Sequence, residues 1–95
     1  MLGKKSNISI YMCKDFLLST INKDILQIYI DNDKIFSVKV KIQDRFVEIR
    51  LEKDKSCVNL TIIDPYGFIR MQPKKYKDFQ EFQNFIIQNM MSKIK

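Results

Sequence analysis

Ninety-five residues, 45% of them hydrophobic, are enough for one modest core and too few for two. Seventeen Lys and Arg against eleven Asp and Glu leave a net charge of +6, which points to an anionic partner: nucleic acid, an acidic protein or a membrane surface. There is no apolar run of the roughly 18 residues a membrane-spanning helix needs, so none is expected.

The chain opens with "MLGKKSNISIYMCKDF", two lysines without a continuous apolar stretch or a small-residue cleavage site, so no secretory signal is expected. Cys13 and Cys57 stand far apart and in no metal-ligand spacing; reduced thiols and an intracellular setting, cytoplasmic or nuclear, follow as expectations. Abundant Ile, Lys, Asn and Asp, with no Ala, Trp or His, read as an AT-rich coding genome, viral or phage among the options. "NISIYM" (residues 7–12) reads as a strand. "KDFLLSTINKD" (residues 14–24) reads as one or two turns of helix with Phe16, Leu17 and Ile21 inward. Residues 1–34 are expected to pack on a core built by residues 35–92, the whole of 1–95 forming one domain.

From residue 25 onward the period is two. "ILQIYI", the turn residues "DNDK" and "IFSVKVKI" predict a hairpin over residues 25–42, with Phe36, Val38, Val40 and Ile42 on one face. "QDR" turns the chain into "FVEIRLE", which carries Val47, Ile49 and Leu51 inward. "KDKS" turns it again into "CVNLTII", with Val58, Leu60 and Ile62 inward, and "DPYG" supplies a turn with Pro65 and Gly67 in suitable places. "FIRMQ" (residues 68–72) is the expected last strand, Ile69 and Met71 inward. The period then changes: Tyr76, Phe79, Phe82, Phe85, Ile86, Ile87, Met90 and Met91 predict one long helix over residues 73–92, Pro73 taking its first position. Two uses of this wide stripe stand open, a deeply packed core helix or a helix that also meets a symmetry mate. The fold class is therefore α+β: an antiparallel β-meander of four to five strands followed by one long C-terminal α-helix packed on the sheet.

Alternation fixes the outward set as well. Ser37, Lys39 and Lys41; Phe46, Glu48 and Arg50; Asn59 and Thr61; and Phe68, Arg70 and Gln72 face away from the core. Cations that track phosphates beside rings that stack on bases suit single-stranded nucleic acid. The plain alternative is a solvated face whose lysines blunt the sheet, with Phe46 and Phe68 covered by the N-terminal segment. Lys74, Lys75 and Lys77 would follow Pro73 at the positive end of the helix, where they either deepen an anion site or point into water.

"FVEIRLEKDKSCVNLTIIDP" followed by "FIRMQPKKYKDFQEF" resembles the single-strand DNA-binding domain of the transcriptional positive cofactor four family. Val47, Ile49 and Arg50 match that family's first strand, Lys53 and Lys55 its basic turn, and Ile69, Met71, Pro73, Tyr76 and Phe79 its strand-to-helix junction. The resemblance covers roughly residues 36–92. It implies a homodimer joined partly through the C-terminal helices, with Phe82, Phe85, Ile86 and Met90 as interface candidates. It also implies a sheet that binds single-stranded or melted DNA through Arg50, Lys53 and Lys55, joined by Lys39 and Lys41.

Catalysis is not expected: there is no His, only Gly3 and Gly67 are glycine, and neither cysteine has a His partner. No cofactor or metal is implied. A membrane-surface role would need a helix combining a basic face with an exposed apolar one, and none is visible. The expectation is thus a non-enzymatic binder of single-stranded nucleic acid, DNA rather than RNA, acting in transcription, replication or repair. Its candidate contacts are Lys39, Lys41, Phe46, Arg50, Lys53, Lys55, Phe68, Arg70, Lys74 and Lys75. The alternative is a small viral or phage adaptor or inhibitor whose basic face docks an acidic protein.

Overall fold

In the computed structural model, residues 7–67 and 73–91 are described. Helix α1 (Ile10–Thr20) and a short 3-10 turn (Lys23–Ile25) lead into strands β1 (Leu26–Asp31), β2 (Ile35–Ile42), β3 (Arg45–Asp54), β4 (Cys57–Ile63) and β5 (Lys74–Tyr76). Helix α2 (Phe79–Ile86) follows and runs on into a π turn (Ile87–Met91). The five strands form one sheet in sequence order, every pair antiparallel.

The alternation read from the sequence sets the sheet's two faces. Phe36, Val38, Val40, Ile42, Val47, Ile49, Leu51, Val58, Leu60 and Ile62 are all buried. Both helices pack on that face: Ile10, Cys13, Leu17 and Ile21 of the N-terminal segment and Phe82, Ile86 and Met90 of the C-terminal one join the same core. Each such side chain contributes about 1.5–3 kcal/mol when taken from water. Burial in this layer pushes the Cys13 thiol up to about 12, so it stays protonated and inert near neutral pH.

The first third departs from expectation. "NISIYM" is not a strand: the Ser9 hydroxyl accepts a hydrogen bond from the Met12 amide, and helix begins at Ile10. The apolar residues at 10, 13, 17 and 21 keep helical spacing, which outweighs the local alternation of Ile8 and Ile10. The helix is correspondingly longer than one or two turns, at 11 residues.

The C-terminal junction also differs. Pro73 does not open a helix; Lys74–Tyr76 pairs with Val58–Leu60 as a fifth strand. The helix starts six residues later at Phe79, where Asp78 accepts the Glu81 amide, and Glu81 supplies the acidic first turn. Thirteen residues of helix, eight α and five π, replace the long helix expected over 73–92. Tyr76 misled the period because it enters the same core from a strand, touching Phe82 edge-to-face at 5.7 Å. The expected strand "FIRMQ", with Phe68 and Arg70, lies outside the described residues.

Two local features carry measurable consequences. The β2–β3 hairpin turns through Gln43 and Asp44, both left-handed at φ 50° and 65°, where glycine is the unstrained choice. Asp44→Gly is expected to stabilise the fold by about 0.5–1 kcal/mol and to raise the melting temperature by several degrees, read by thermal denaturation. Tyr76 is 1% exposed, and its hydroxyl has no hydrogen-bond partner among the described residues. Because an unpaired buried hydroxyl costs stability, Tyr76→Phe is expected to be neutral or stabilising by up to about 1 kcal/mol. A clear downward shift of the denaturant midpoint would contradict that.

Candidate nucleic-acid interface

Because both helices sit on one face of the sheet, the residues in the opposite phase form a surface that neither helix covers. Lys41 on β2 stands directly opposite Phe46 on β3, and Phe46 is 53% exposed. The alternative in which the N-terminal segment covers Phe46 is therefore overturned; that segment packs on the other face. Lys39 stands opposite Glu48 across β3 and opposite Gln27 across β1. Its ammonium lies 4.9 Å from the centre of the Tyr29 ring, a cation–π contact on this same outer face.

Tyr29 was not foreseen. The β1–β2 register slips between Ile28 and Ile30, a bulge that leaves Tyr29 without a partner of its own and half exposed. Alternation along "ILQIYI" does give Tyr29 the phase of Gln27; what it hides is the bulge, which resets the phase at Ile30.

The middle of the face is closer to neutral. Ser37 donates its hydroxyl proton to Glu48 Oε2 at 2.8 Å, and Arg50 Nε lies 3.4 Å from the same oxygen. Glu48, which would repel a phosphate, is thus tied to a hydroxyl and a guanidinium. Ser37 is buried rather than wet, 1% exposed among these groups. Toward the far edge Lys75 pairs with Asp54 at 2.9 Å. The hydrogen-bonded ammonium holds the Asp54 carboxyl below the usual carboxylate range, and the carboxylate in turn raises Lys75. Lys41 and Lys39 form no ion pair among the described residues. The uncompensated positive charge lies with the rings of Tyr29 and Phe46.

Several expected contacts lie elsewhere. Lys53 has the inward phase of Val47, Ile49 and Leu51, opposite Val58. It lines a small cleft with Ser9, Tyr11 and Lys55 beside the start of α1. Lys55 occupies the β3–β4 turn at φ 57°, roughly 25–30 Å along β3 from Phe46. Lys74 is opposite Leu60, again the helix-bearing phase, with its ammonium 5.0 Å from the Tyr76 ring centre. Lys74 and Lys75 therefore point to opposite faces of a strand and do not flank a helix start. The basic turn and the strand-to-helix lysines do not converge with Lys39, Lys41 and Phe46.

The expected dimer contacts also need correcting. Phe82, Ile86 and Met90 are 0% exposed within the single chain, so they have no surface to offer a partner. Phe85 is partly buried against Tyr76, and the exposed apolar residue of this stretch is Ile87. These rings and methyls fill the core of the single chain, where α1 and α2 together cover this face of the sheet.

No helix among the described residues is long and apolar enough to cross a membrane, and none of their His, Cys, Asp and Glu side chains group as a metal site. Comparison with protein-family models, curated proteins and solved structures returned no match.

Proposed function

We propose that this protein binds single-stranded nucleic acid, without catalysis, through the end of the outer sheet face that carries Tyr29, Lys39, Lys41 and Phe46. The observation that carries this is the pairing of a half-exposed ring, Phe46, with the unpaired cation Lys41 directly across the ladder. Stacking on such a ring contributes about 1–3 kcal/mol per base, and the neighbouring lysines supply the salt-dependent attraction to phosphate. Tyr29 provides a second ring one strand beyond Lys39. A base arriving there takes the place of the Lys39 ammonium, which is released toward the backbone phosphate.

DNA is favoured over RNA, and a role in transcription, replication or repair is favoured over others, by the resemblance to the positive cofactor four family alone. The test is fluorescence anisotropy with a labelled single strand, its duplex and a salt series. Tighter binding to the single strand, weakening steeply with salt, is the expected result; no binding of either form at low salt would sink the proposal.

A second function is favoured by one observation. Ile63, opposite Glu48 and thus diagonal to Phe46, is 46% exposed, so two apolar side chains adjoin on this face with charges around them. A rimmed apolar patch is also what a protein partner of acidic character would dock on. Absence of nucleic-acid binding, together with loss of an acidic partner on Phe46→Ala and Ile63→Ser substitution, would select it.

A further inference from the structure

The two edges of the sheet are built differently. One edge, β5, is only three residues long and carries Lys74 and Lys75, both common devices for keeping an edge from pairing with another strand. The other edge, β1, is six residues long, with neither Lys nor Pro within it. It exposes Ile28 and Tyr29 at 46% and 52%. Beside it, Leu18 of α1 with Leu26 and Ile28 of β1 line a shallow apolar groove, whose wall also includes Asp15 and Lys23.

We infer that β1 pairs with β1 of a second copy of this chain, antiparallel, so that two five-stranded sheets become one. The charges select this occupant. Lys23 precedes the strand and Asp33 follows it; Asp33 accepts only a neutral hydroxyl, that of Tyr11, whereas Asp31 is already paired with Lys14. With Ile28 opposite Ile28 of the second copy, the register continued past the strand ends sets Lys23 of one copy near Asp33 of the other, and twofold symmetry makes the match twice. A parallel copy would set like charges together instead. Among the described residues Lys23 forms no ion pair, so it is available for this contact. The bulge after Ile28 shortens the regular ladder, so the association is reversible and concentration-dependent. Placing β1 at the centre also moves the dimer contact from α2, whose buried apolar residues are consumed internally, to an edge that pairs with no other strand among the described residues. Tyr29 of both copies would then lie near the symmetry axis, with Lys39 one strand further out on each side.

Sedimentation velocity over a protein concentration series, without nucleic acid, tests this apart from any binding activity. The wild type is expected to pass from monomer to dimer. Ile28→Lys, at a half-exposed position, is expected to weaken the dimer about tenfold or more. Lys23→Glu and Asp33→Lys are each expected to weaken it, and the two combined to restore it, with circular dichroism confirming the fold. A wild type that stays monomeric throughout overturns the proposal. So does a dimer indifferent to Ile28→Lys and to the charge exchange, which would place the interface elsewhere. A monomer that captures an unrelated extended peptide on this edge overturns it too, because the occupant is then a foreign strand. Should Ile28→Lys fail to fold, the charge exchange alone decides.

Discussion

Arg45→Ala is expected to cost about 3–5 kcal/mol of stability, the largest single effect outside the apolar core, because it removes the guanidinium that faces a buried carboxylate. Arg45 Nε lies 3.5 Å from Asp64 Oδ1, with the two side chains 5% and 0% exposed. Its Nη1 also donates to the Ile42 carbonyl at 3.2 Å, which fastens the β2–β3 turn to the end of β4. Replacing Arg45 alone leaves Asp64 buried beside the Asp64–Gly67 turn, where its Oδ1 also accepts the Tyr66 amide. Paired replacement by apolar residues of similar size, Arg45→Met with Asp64→Leu, is expected to cost much less than the single change, since no lone charge remains. Denaturant midpoints of the two single variants and the double variant measure the coupling. Simple additivity would show that the pair acts as two solvated charges.

Phe46→Ala is expected to weaken binding of a labelled single strand by the stacking it removes, about 1–3 kcal/mol or roughly 5–150-fold. Lys41→Glu is expected to lower the slope of log affinity against log salt by about 0.7 for the phosphate contact it loses, with further weakening from repulsion. Arg50→Ala is the informative control. Its guanidinium is already engaged with Glu48, so removing it frees a carboxylate and is expected to act through that charge. Lys53→Glu, on the helix-bearing side, is expected to leave single-strand affinity nearly unchanged. A larger loss in Lys53→Glu than in Lys41→Glu would relocate the site to the cleft beside α1. All four variants are on exposed or half-exposed positions, so the fold itself is expected to survive them.

What the sequence made legible was whatever depends on a two-residue period. Phe36 to Ile42, Val47 to Leu51 and Val58 to Ile62 alternate without interruption, and their burial follows from that phase alone. The same phase put Lys39, Lys41 and Phe46 on the outer face. It failed where the phase is reset or the period is shared. Tyr29 shares the phase of Gln27 and was legible in principle; the bulge beside it, a register event between two strands, is invisible along one of them. Tyr76 joined the helix pattern because strand and helix feed one core across a two-residue junction. Arg45 looked like a turn residue beside "QD", although it has the inward phase of Val47 and Ile49. Lys53 and Lys74 looked like parts of one basic surface because proximity in sequence says nothing about which face a residue takes.

The contact between Asn7 and the start of α2 bears on the order in which the molecule assembles. The Asn7 side chain accepts the Phe79 amide at 2.8 Å, 72 positions along the chain, and the Asn7 amide donates to the Lys77 carbonyl at 3.0 Å. The β1–β2, β2–β3 and β3–β4 hairpins, by contrast, close over two or three residues each. Loop-closure entropy rises with the logarithm of the span, so the meander can zip locally while this long loop closes late. The contact between Asn7 and the start of α2 is thereby the last to lock and the first to release, and hydrogen exchange at the Phe79 amide would run ahead of the central strands β2 and β3.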